Sequence, residues 1–182
     1  MDVFVCNEGD EIFPVQSATY RILKKLLPEV EIGKDDVFVD IGCGLGRLMG
    51  YLFLNGKRGK KNYGVDINSN AAEFARQVFA NDPDVTILCE DATKVRIDGG
   101  TVFLMYNPFG EGVLNDFLDH LEEMAEPGCR VYYLHAVFEK AFKERGDRWS
   151  CLKRVELKPK YHVPVVLCEY KFIGRDQNEV SA

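Results

Sequence analysis

The residues from Val37 to Gly46 read VFVDIGCGLG, and they combine a strand pattern with a glycine-rich turn. The first half is a short apolar run of the kind that forms a buried parallel strand. Glycines then follow at alternate positions, namely Gly42, Gly44 and Gly46. Because glycine has no Cβ and tolerates positive φ, such a turn lets a ligand approach the backbone closely. The stretch therefore predicts a strand, a ligand-binding turn and the start of a helix.

The acid at the end of this strand, Asp40, separates two kinds of nucleotide site. A dinucleotide site needs the pattern G-x-G-x-x-G, in which the third glycine lets the helix pack on the strand beside a pyrophosphate. Arg47 occupies that third position here. The carboxylate of Asp40 would repel a pyrophosphate, whereas it would attract a cationic ligand. NAD is therefore not expected to bind.

Together these residues form the pattern D-x-G-x-G-x-G, which resembles the first motif of class I S-adenosylmethionine-dependent methyltransferases. S-adenosylmethionine carries an ammonium and a sulfonium, so a carboxylate beside the turn suits it. The resemblance covers roughly residues 35 to 173 and implies S-adenosylmethionine as cofactor and S-adenosylhomocysteine as product. It also implies that the cofactor contacts Asp40, Gly42, Cys43, Gly44 and Gly46.

A second acid, Asp66, lies at the end of the predicted strand 63–67, 24 residues after Gly42. An acid about 20 residues past a glycine loop is placed to accept hydrogen bonds from both hydroxyls of a ribose. Ile67 follows it and is included in the predicted cofactor site. The alternative is that Asp66 caps the next helix, but its spacing from the loop favours the ribose.

A third acid, Asp91, follows the predicted strand 84–89 and precedes Ala92. In the methyltransferases that the chain resembles, an acid at this point accepts the amino group of adenine, and Ala92 lies beside it. A carboxylate suits this role because it rejects ring edges that lack an N–H donor. Glu90 competes with Asp91 for the role, and a solvated turn acid is the alternative.

The fourth predicted strand, residues 101–106, runs directly into Asn107, Pro108 and Phe109. Amino-group methyltransferases carry a related pattern, [DNS]-P-P-[FYW], whereas this chain has a single proline. The resemblance therefore extends only to these three residues, as catalytic candidates, and Asn107 also joins the predicted cofactor site. An Asn carbonyl can accept a hydrogen bond from an amine, and Phe109 can cover a flat substrate or the sulfonium. The alternative is an Asn-Pro turn that ends a strand.

The methyl acceptor is expected where the fourth and sixth strands end, under the start of the first helix, residues 13–20. The predicted pocket is lined by Tyr20, Asn107, Phe109, His135 and His162. Methyl transfer is an in-line displacement that depends on positioning, and it requires no metal. His135 and His162 are the candidates for a general base at neutral pH, with a structural histidine as the alternative for each.

Strand and helix patterns alternate along the chain, which predicts a doubly wound (Rossmann-like) α/β fold with helices on both faces of a seven-stranded, mostly parallel sheet. The last two predicted strands, 151–157 and 163–172, are joined by residues 158–162. This connection is too short for a parallel crossover, so the last strand is expected to run antiparallel. We predict an N-terminal segment with a covering helix (1–34), a methyltransferase core (35–173) and a polar tail (174–182).

Composition narrows the classes of function. The chain has 182 residues with a net charge of −6, which argues against broad non-specific binding of nucleic acid. No run of 18 or more apolar residues occurs, so we expect a soluble cytoplasmic protein without a membrane span. An amino group of a small molecule or a protein is the favoured acceptor. The alternatives are an RNA methyltransferase and a non-enzymatic protein that binds S-adenosylmethionine.

Overall fold

The computed structural model describes residues 18–157 and 165–174, which form a seven-stranded sheet with helices on both faces. The strands are β1 (Val37–Ile41), β2 (Lys61–Val65), β3 (Val85–Leu88), β4 (Val102–Tyr106), β5 (Arg130–Leu134), β6 (Trp149–Leu157) and β7 (Val165–Phe172). The helices are α1 (Tyr20–Leu26), α2 (Arg47–Leu54), α3 (Ser69–Val78), α4 (Glu111–Met124) and α5 (Lys140–Lys143), with 3-10 turns at Leu27–Glu29 and Gly146–Arg148.

The sheet has the strand order β3-β2-β1-β4-β5-β7-β6. Strands β1 to β5 pair in parallel, whereas β7 runs antiparallel to both β5 and β6. The predicted doubly wound, mostly parallel sheet with an antiparallel last strand is therefore confirmed. β6 begins at Trp149, slightly before its predicted start, and residues 163 and 164 lie outside the described ranges.

The central strands are buried on both faces, which explains their nearly continuous apolar sequence. Along β4, Phe103 faces one core cluster and Leu104 faces the other. The first cluster packs against α4 and α5, and the second packs against α1, α2 and α3. The layers therefore follow from the alternation of side chains along each strand.

The centre of the sheet contains a topological switch point. β1 lies between β2 and β4, so the chain winds away from β1 in both directions. In open α/β sheets, ligands bind beside such a point, outside the carboxyl ends of the strands. The residues that follow β1, β2, β4 and β5 at this edge are the glycine loop 42–46, Asp66, Asn107 and His135.

The chain on either side of the core is only partly described. Helix α1 buries Ile22, Leu23 and Leu26, and so covers one face of the sheet. Most of the expected flap, residues 13–20, and most of the expected tail lie outside the described residues, so the predicted division of the chain stays a prediction. Among the described residues, no helix has the length and apolar character needed to cross a membrane.

Candidate functional site

The glycine loop, residues 42–46, joins β1 to α2 in a conformation that side chains rarely adopt. Gly42, Gly44 and Gly46 have φ values of 70°, 53° and 76°, in the left-handed region that favours glycine. A Cβ at Gly42 would lie 2.5 Å from the Cβ of Pro108, which is too close for two carbon atoms. The missing side chain thus lets the loop after β1 meet the turn after β4. Two motifs that are distant in the sequence become neighbours.

Cys43 lies within this loop with its side chain buried. Its backbone N–H donates to the carbonyl of Val65 at 3.0 Å, so this N–H is already paired with β2. Burial raises the pKa of the Cys43 thiol, and the carboxylates of Asp40 and Asp66 raise it further. The thiol is therefore neutral and packs in the core, and its predicted contact with a cofactor stays a prediction.

Asp66 links the glycine loop to the turn after β2. Its Oδ2 accepts the backbone N–H of Gly44 at 2.7 Å, and its Oδ1 accepts the backbone N–H of Asn68 at 2.8 Å. The side chain of Asn68, and not that of Asp66, caps α3 by accepting the N–H of Ala71. Each carboxylate oxygen of Asp66 accepts these bonds with one lone pair and retains another.

Asp40, at the end of β1, carries a buried oxygen without a partner. The residue is 3% exposed, and its Oδ2 has no hydrogen-bond partner among the described residues. Burial, and then the charge of Asp66, raise the pKa of Asp40 to about 8, although a bond from the backbone of Met49 lowers it. A carboxyl group in this position would be stabilised as an anion by a bound cation.

Asp91 lies in the turn after β3 and already has several partners. Its Oδ1 accepts the backbone N–H and the hydroxyl of Thr93 at 3.0 and 2.8 Å, and its Oδ2 lies 2.8 Å from Nζ of Lys94. The bond with Lys94 is the main cause that lowers the pKa of Asp91 to about 2. These contacts support the alternative of a turn acid, and the adenine role stays a prediction.

Three further residues of the predicted adenine and ribose sites differ in exposure. Ala92 packs into the first core cluster, whereas the competing acid Glu90 is exposed. Ile67, which follows Asp66 at the same edge of the sheet, is also exposed. An exposed isoleucine at a sheet edge offers an apolar surface to a flat ring.

Asn107 and Phe109 have different environments although they are close in sequence. Asn107 has a φ of 40°, which is uncommon for a residue other than glycine, and its Oδ1 accepts a short hydrogen bond from the hydroxyl of Tyr133. Phe109 is 7% exposed and packs against Phe117 of α4, with ring centroids 5.8 Å apart. Phe109 is thus part of the core, and its predicted covering of a substrate stays a prediction.

His135 directly follows β5, as Asn107 directly follows β4. It is the other non-glycine residue with positive φ in the described ranges, at 55°. Its ring meets that of Tyr106 edge to face, with centroids 6.2 Å apart, and burial lowers the pKa of His135. Two adjacent parallel strands are therefore each followed by a non-glycine residue with positive φ, and such backbone conformations are concentrated at functional sites.

Tyr20, the first residue of α1, lies beside the start of α2. It is 64% exposed, its ring lies 4.2 Å from the guanidinium carbon of Arg47, and it contacts the ring of Tyr51. These contacts place Tyr20 near the glycine loop, and its predicted contact with a substrate stays untested. His162 lies outside the described residues.

The combination of glycine loop, acids and strand order has counterparts in known proteins. A family model described as "Methyltransferase domain" matches residues 38–128, which contain the loop, all three acids and Asn107. The chain belongs to the class I S-adenosylmethionine-dependent methyltransferases. The match begins in β1 and ends before β5.

Among curated proteins, the chain is similar to the phosphoethanolamine N-methyltransferase of Plasmodium falciparum (isolate 3D7). The two are 26% identical over 93 residues, which cover 51% of this chain and 34% of that protein. The chain thus spans about a third of the length of this relative.

Solved structures share the fold. An RNA methyltransferase from Salinibacter ruber, in complex with S-adenosylhomocysteine, has a TM-score of 0.66 and 16% identity, covering 92% of this chain and 100% of that one. The N-methyltransferase NodS from Bradyrhizobium japonicum WM9 has a TM-score of 0.64 and 14% identity, covering 84% and 93%. At these identities the likeness concerns the fold alone.

The side chains of this methyltransferase fit the groups of S-adenosylmethionine. A ligand ammonium would supply the partner that Oδ2 of Asp40 lacks, and the remaining lone pairs of Asp66 suit ribose hydroxyls. Ile67 offers an exposed apolar surface. Within residues 18–157 and 165–174, no group of three or more potential metal ligands is present.

Sequence reasoning missed Tyr133, whose hydroxyl contacts Asn107. The available signal was the strand RVYYLH, in which a tyrosine faces each side of the sheet shortly before His135. A tyrosine in a buried strand needs a polar partner for its hydroxyl. The sequence does not say which residue that partner is.

Proposed function

We propose that the protein binds S-adenosylmethionine at the carboxyl edge of the sheet and transfers its methyl group to an amino group of a small molecule or a protein. The observation that carries the proposal is the position of Asn107. It directly follows β4 with a φ of 40°, and the next residue, Pro108, lies against Gly42 of the glycine loop. An amide is thus held beside the loop that would bind the cofactor.

The cofactor half of the proposal rests on the acids. Asp66 would accept the ribose hydroxyls while it continues to hold the N–H of Gly44. Asp40 would face the ammonium of the methionine moiety, which supplies the charge that its buried oxygen lacks. Asp91 would accept the adenine amino group with the lone pairs that Thr93 and Lys94 leave unused.

The acceptor half rests on the amide of Asn107. When bound, S-adenosylmethionine supplies an electrophilic methyl group, which the lone pair of an amine displaces from sulfur to leave a neutral thioether. The carbonyl oxygen of Asn107 would accept an N–H of the incoming amine, which directs the nitrogen lone pair toward the methyl group. After transfer the new ammonium must lose a proton.

His135 is the group proposed to take this proton. Burial lowers its pKa, so its imidazole is neutral near pH 7 and able to accept a proton. It follows β5 at the same edge as Asn107 follows β4, and Tyr106 of β4 pairs with Leu134 of β5. His135 and Asn107 therefore directly follow two neighbouring strands at the same edge of the sheet.

Transfer of tritiated methyl groups from S-adenosylmethionine tests the proposal. A panel of primary amines, lysine-containing peptides, phenols and total RNA should show labelling of one amine class. Asn107→Ala should lower kcat about a hundredfold with little change in cofactor affinity. Asn115→Ala, an asparagine on α4 outside the site, serves as control.

Each other outcome has a defined meaning. Labelling of RNA but not of amines would replace the proposed acceptor with nucleic acid. Binding of the cofactor without any labelling would favour the non-enzymatic alternative. Full turnover by Asn107→Ala would leave the Asn-Pro turn with a structural role only.

A further inference from the structure

We propose that Tyr133 is a positioning residue that fixes the side-chain amide of Asn107, so that its carbonyl oxygen is available to the acceptor amine. The inference rests on the proposed function, in which Asn107 contacts that amine. Tyr133 lies on β5, where it pairs with Met105 of β4. Its hydroxyl reaches across to the residue that follows β4.

The hydrogen bonds of the Tyr133 hydroxyl determine the orientation of the amide. The backbone N–H of Phe138 donates to the hydroxyl oxygen at 3.4 Å. The hydroxyl proton is thus free to be donated, and the side chain of Asn107 is the group that receives it. The carbonyl oxygen of Asn107, and not its NH₂, faces this hydroxyl, so the hydroxyl donates to the amide.

This bond leaves part of the carbonyl oxygen unused. An amide oxygen has two lone pairs, and the hydroxyl of Tyr133 occupies one of them. The second lone pair is held at a fixed angle to the first, and it is the one that would accept an amine N–H. Because burial raises the pKa of Tyr133, its hydroxyl keeps the donated proton throughout the neutral range.

The backbone supplies independent support. Asn107 adopts a φ of 40°, which is uncommon for residues other than glycine although Asn tolerates it better than most. Pro108 against Gly42 holds the following residue, and Tyr133 holds the side chain. Asn107 is therefore constrained both through its backbone and through its side chain. A group that orients a nucleophile needs such a fixed position.

The neighbouring Tyr132 provides a matched control. Both tyrosines lie on β5 and are buried, at 0% and 1% exposed, but they face opposite core clusters. The hydroxyl of Tyr132 donates to Glu169 at 3.0 Å and accepts from Arg130 at 3.1 Å. Tyr132→Phe therefore also removes a buried, fully bonded hydroxyl, without any contact to Asn107.

Calorimetric titration with two cofactor analogues tests the inference without a known acceptor. S-adenosylhomocysteine lacks the transferred methyl group, whereas sinefungin carries an ammonium in its place. The carbonyl oxygen of Asn107 should accept from that ammonium, so the wild type should bind sinefungin about tenfold more tightly than S-adenosylhomocysteine. Tyr133→Phe should lose most of this preference for sinefungin, and Asn107→Ala should lose all of it. Tyr132→Phe should keep the wild-type preference. A general loss of stability would weaken both ligands alike and leave the ratio unchanged.

The variants separate failure of this inference from failure of the proposed function. If Tyr133→Phe keeps the wild-type preference while Asn107→Ala loses it, Asn107 acts as proposed and Tyr133 does not position it. A loss of preference in Tyr132→Phe as well would also overturn the role of Tyr133, because the effect would not be specific. If the wild type shows no preference, Asn107 does not face the methyl position, and the proposed acceptor site and this inference both fail.

Discussion

At the scale of single residues, the carboxylates at the edge of the sheet have different environments. Asp66 is bonded on both oxygens by backbone N–H groups, Asp91 is paired with Lys94, and Asp40 has a buried oxygen without a partner in the described chain. The same residue type can thus hold a loop, stabilise a turn or offer a site to a cation. Their surroundings, more than their identity, set what each can bind.

Replacement of Asp66 by Ala should weaken binding of S-adenosylhomocysteine roughly tenfold or more, because charge-assisted bonds to the ribose are lost. Since Asp66 also holds Gly44, its effect on the ribose must be separated from its effect on the loop. Removal of the 2′-hydroxyl from the ligand should weaken binding to the wild type and leave binding to the variant almost unchanged. Asp98→Ala, at an exposed turn, is the control. If loss of the 2′-hydroxyl weakened ligand binding equally in the wild type and in Asp66→Ala, Asp66 would not contact the ribose.

The second residue-scale prediction is a pH dependence from Asp40. Its pKa is raised to about 8, above the ordinary value of 3.8, so the folded protein binds a proton that the unfolded chain has released. Asp40 therefore lowers the free energy of unfolding as pH rises from about 4 to about 8. Asp40→Asn should remove this decline, as measured by urea unfolding across that range.

Binding of a ligand with an ammonium group should lower the pKa of Asp40 and so favour its ionised form. A ligand ammonium favours the carboxylate, so affinity for S-adenosylhomocysteine should rise with pH, by up to about tenfold per pH unit below the pKa of about 8. Titrations in buffers of different ionisation enthalpy should show proton release near pH 7. A flat affinity between pH 6 and pH 8 would contradict contact between Asp40 and a cation.

At the scale of elements, the site depends on how β1 and β4 end. The two strands are neighbours, with Ile41 opposite Met105, so the glycine loop and the Asn-Pro turn emerge side by side. Their contact is the close approach of Gly42 to Pro108. The glycine loop and the Asn-Pro turn are therefore one structural unit.

Gly42→Ala should disrupt this unit. The new Cβ would lie 2.5 Å from that of Pro108, and the φ of 70° adds strain, so we expect a loss of more than about 2 kcal/mol in stability and at least tenfold in affinity for S-adenosylhomocysteine. Gly56→Ala is a matched control, because Gly56 has a φ of 76° and a Cβ added there would have no atom within 4 Å. It should show the backbone strain alone. Equal losses in the two variants would mean that the contact with Pro108 is unimportant.

At the scale of the whole molecule, the strand order explains what the sequence could and could not predict. The alternation of strands and helices was sufficient to predict the layers of the fold. The short connection before β7 was sufficient to predict that the last strand runs antiparallel. The contact between Tyr133 and Asn107 was not predictable, because it depends on the register of β4 against β5 and on the depth of a side chain between them. Local pattern likewise could not tell whether Phe109 faces the ligand edge or α4, since it follows the strand in an irregular turn.

The choice of cofactor can be tested by calorimetric titration of the full chain with S-adenosylhomocysteine and, separately, with NAD. The buried carboxyl of Asp40, the loop held by Asp66 and the presence of Arg47 in place of a third packing glycine all favour the first ligand. We predict binding of one S-adenosylhomocysteine per chain and no heat from NAD. Binding of NAD without binding of S-adenosylhomocysteine would contradict the proposed cofactor site.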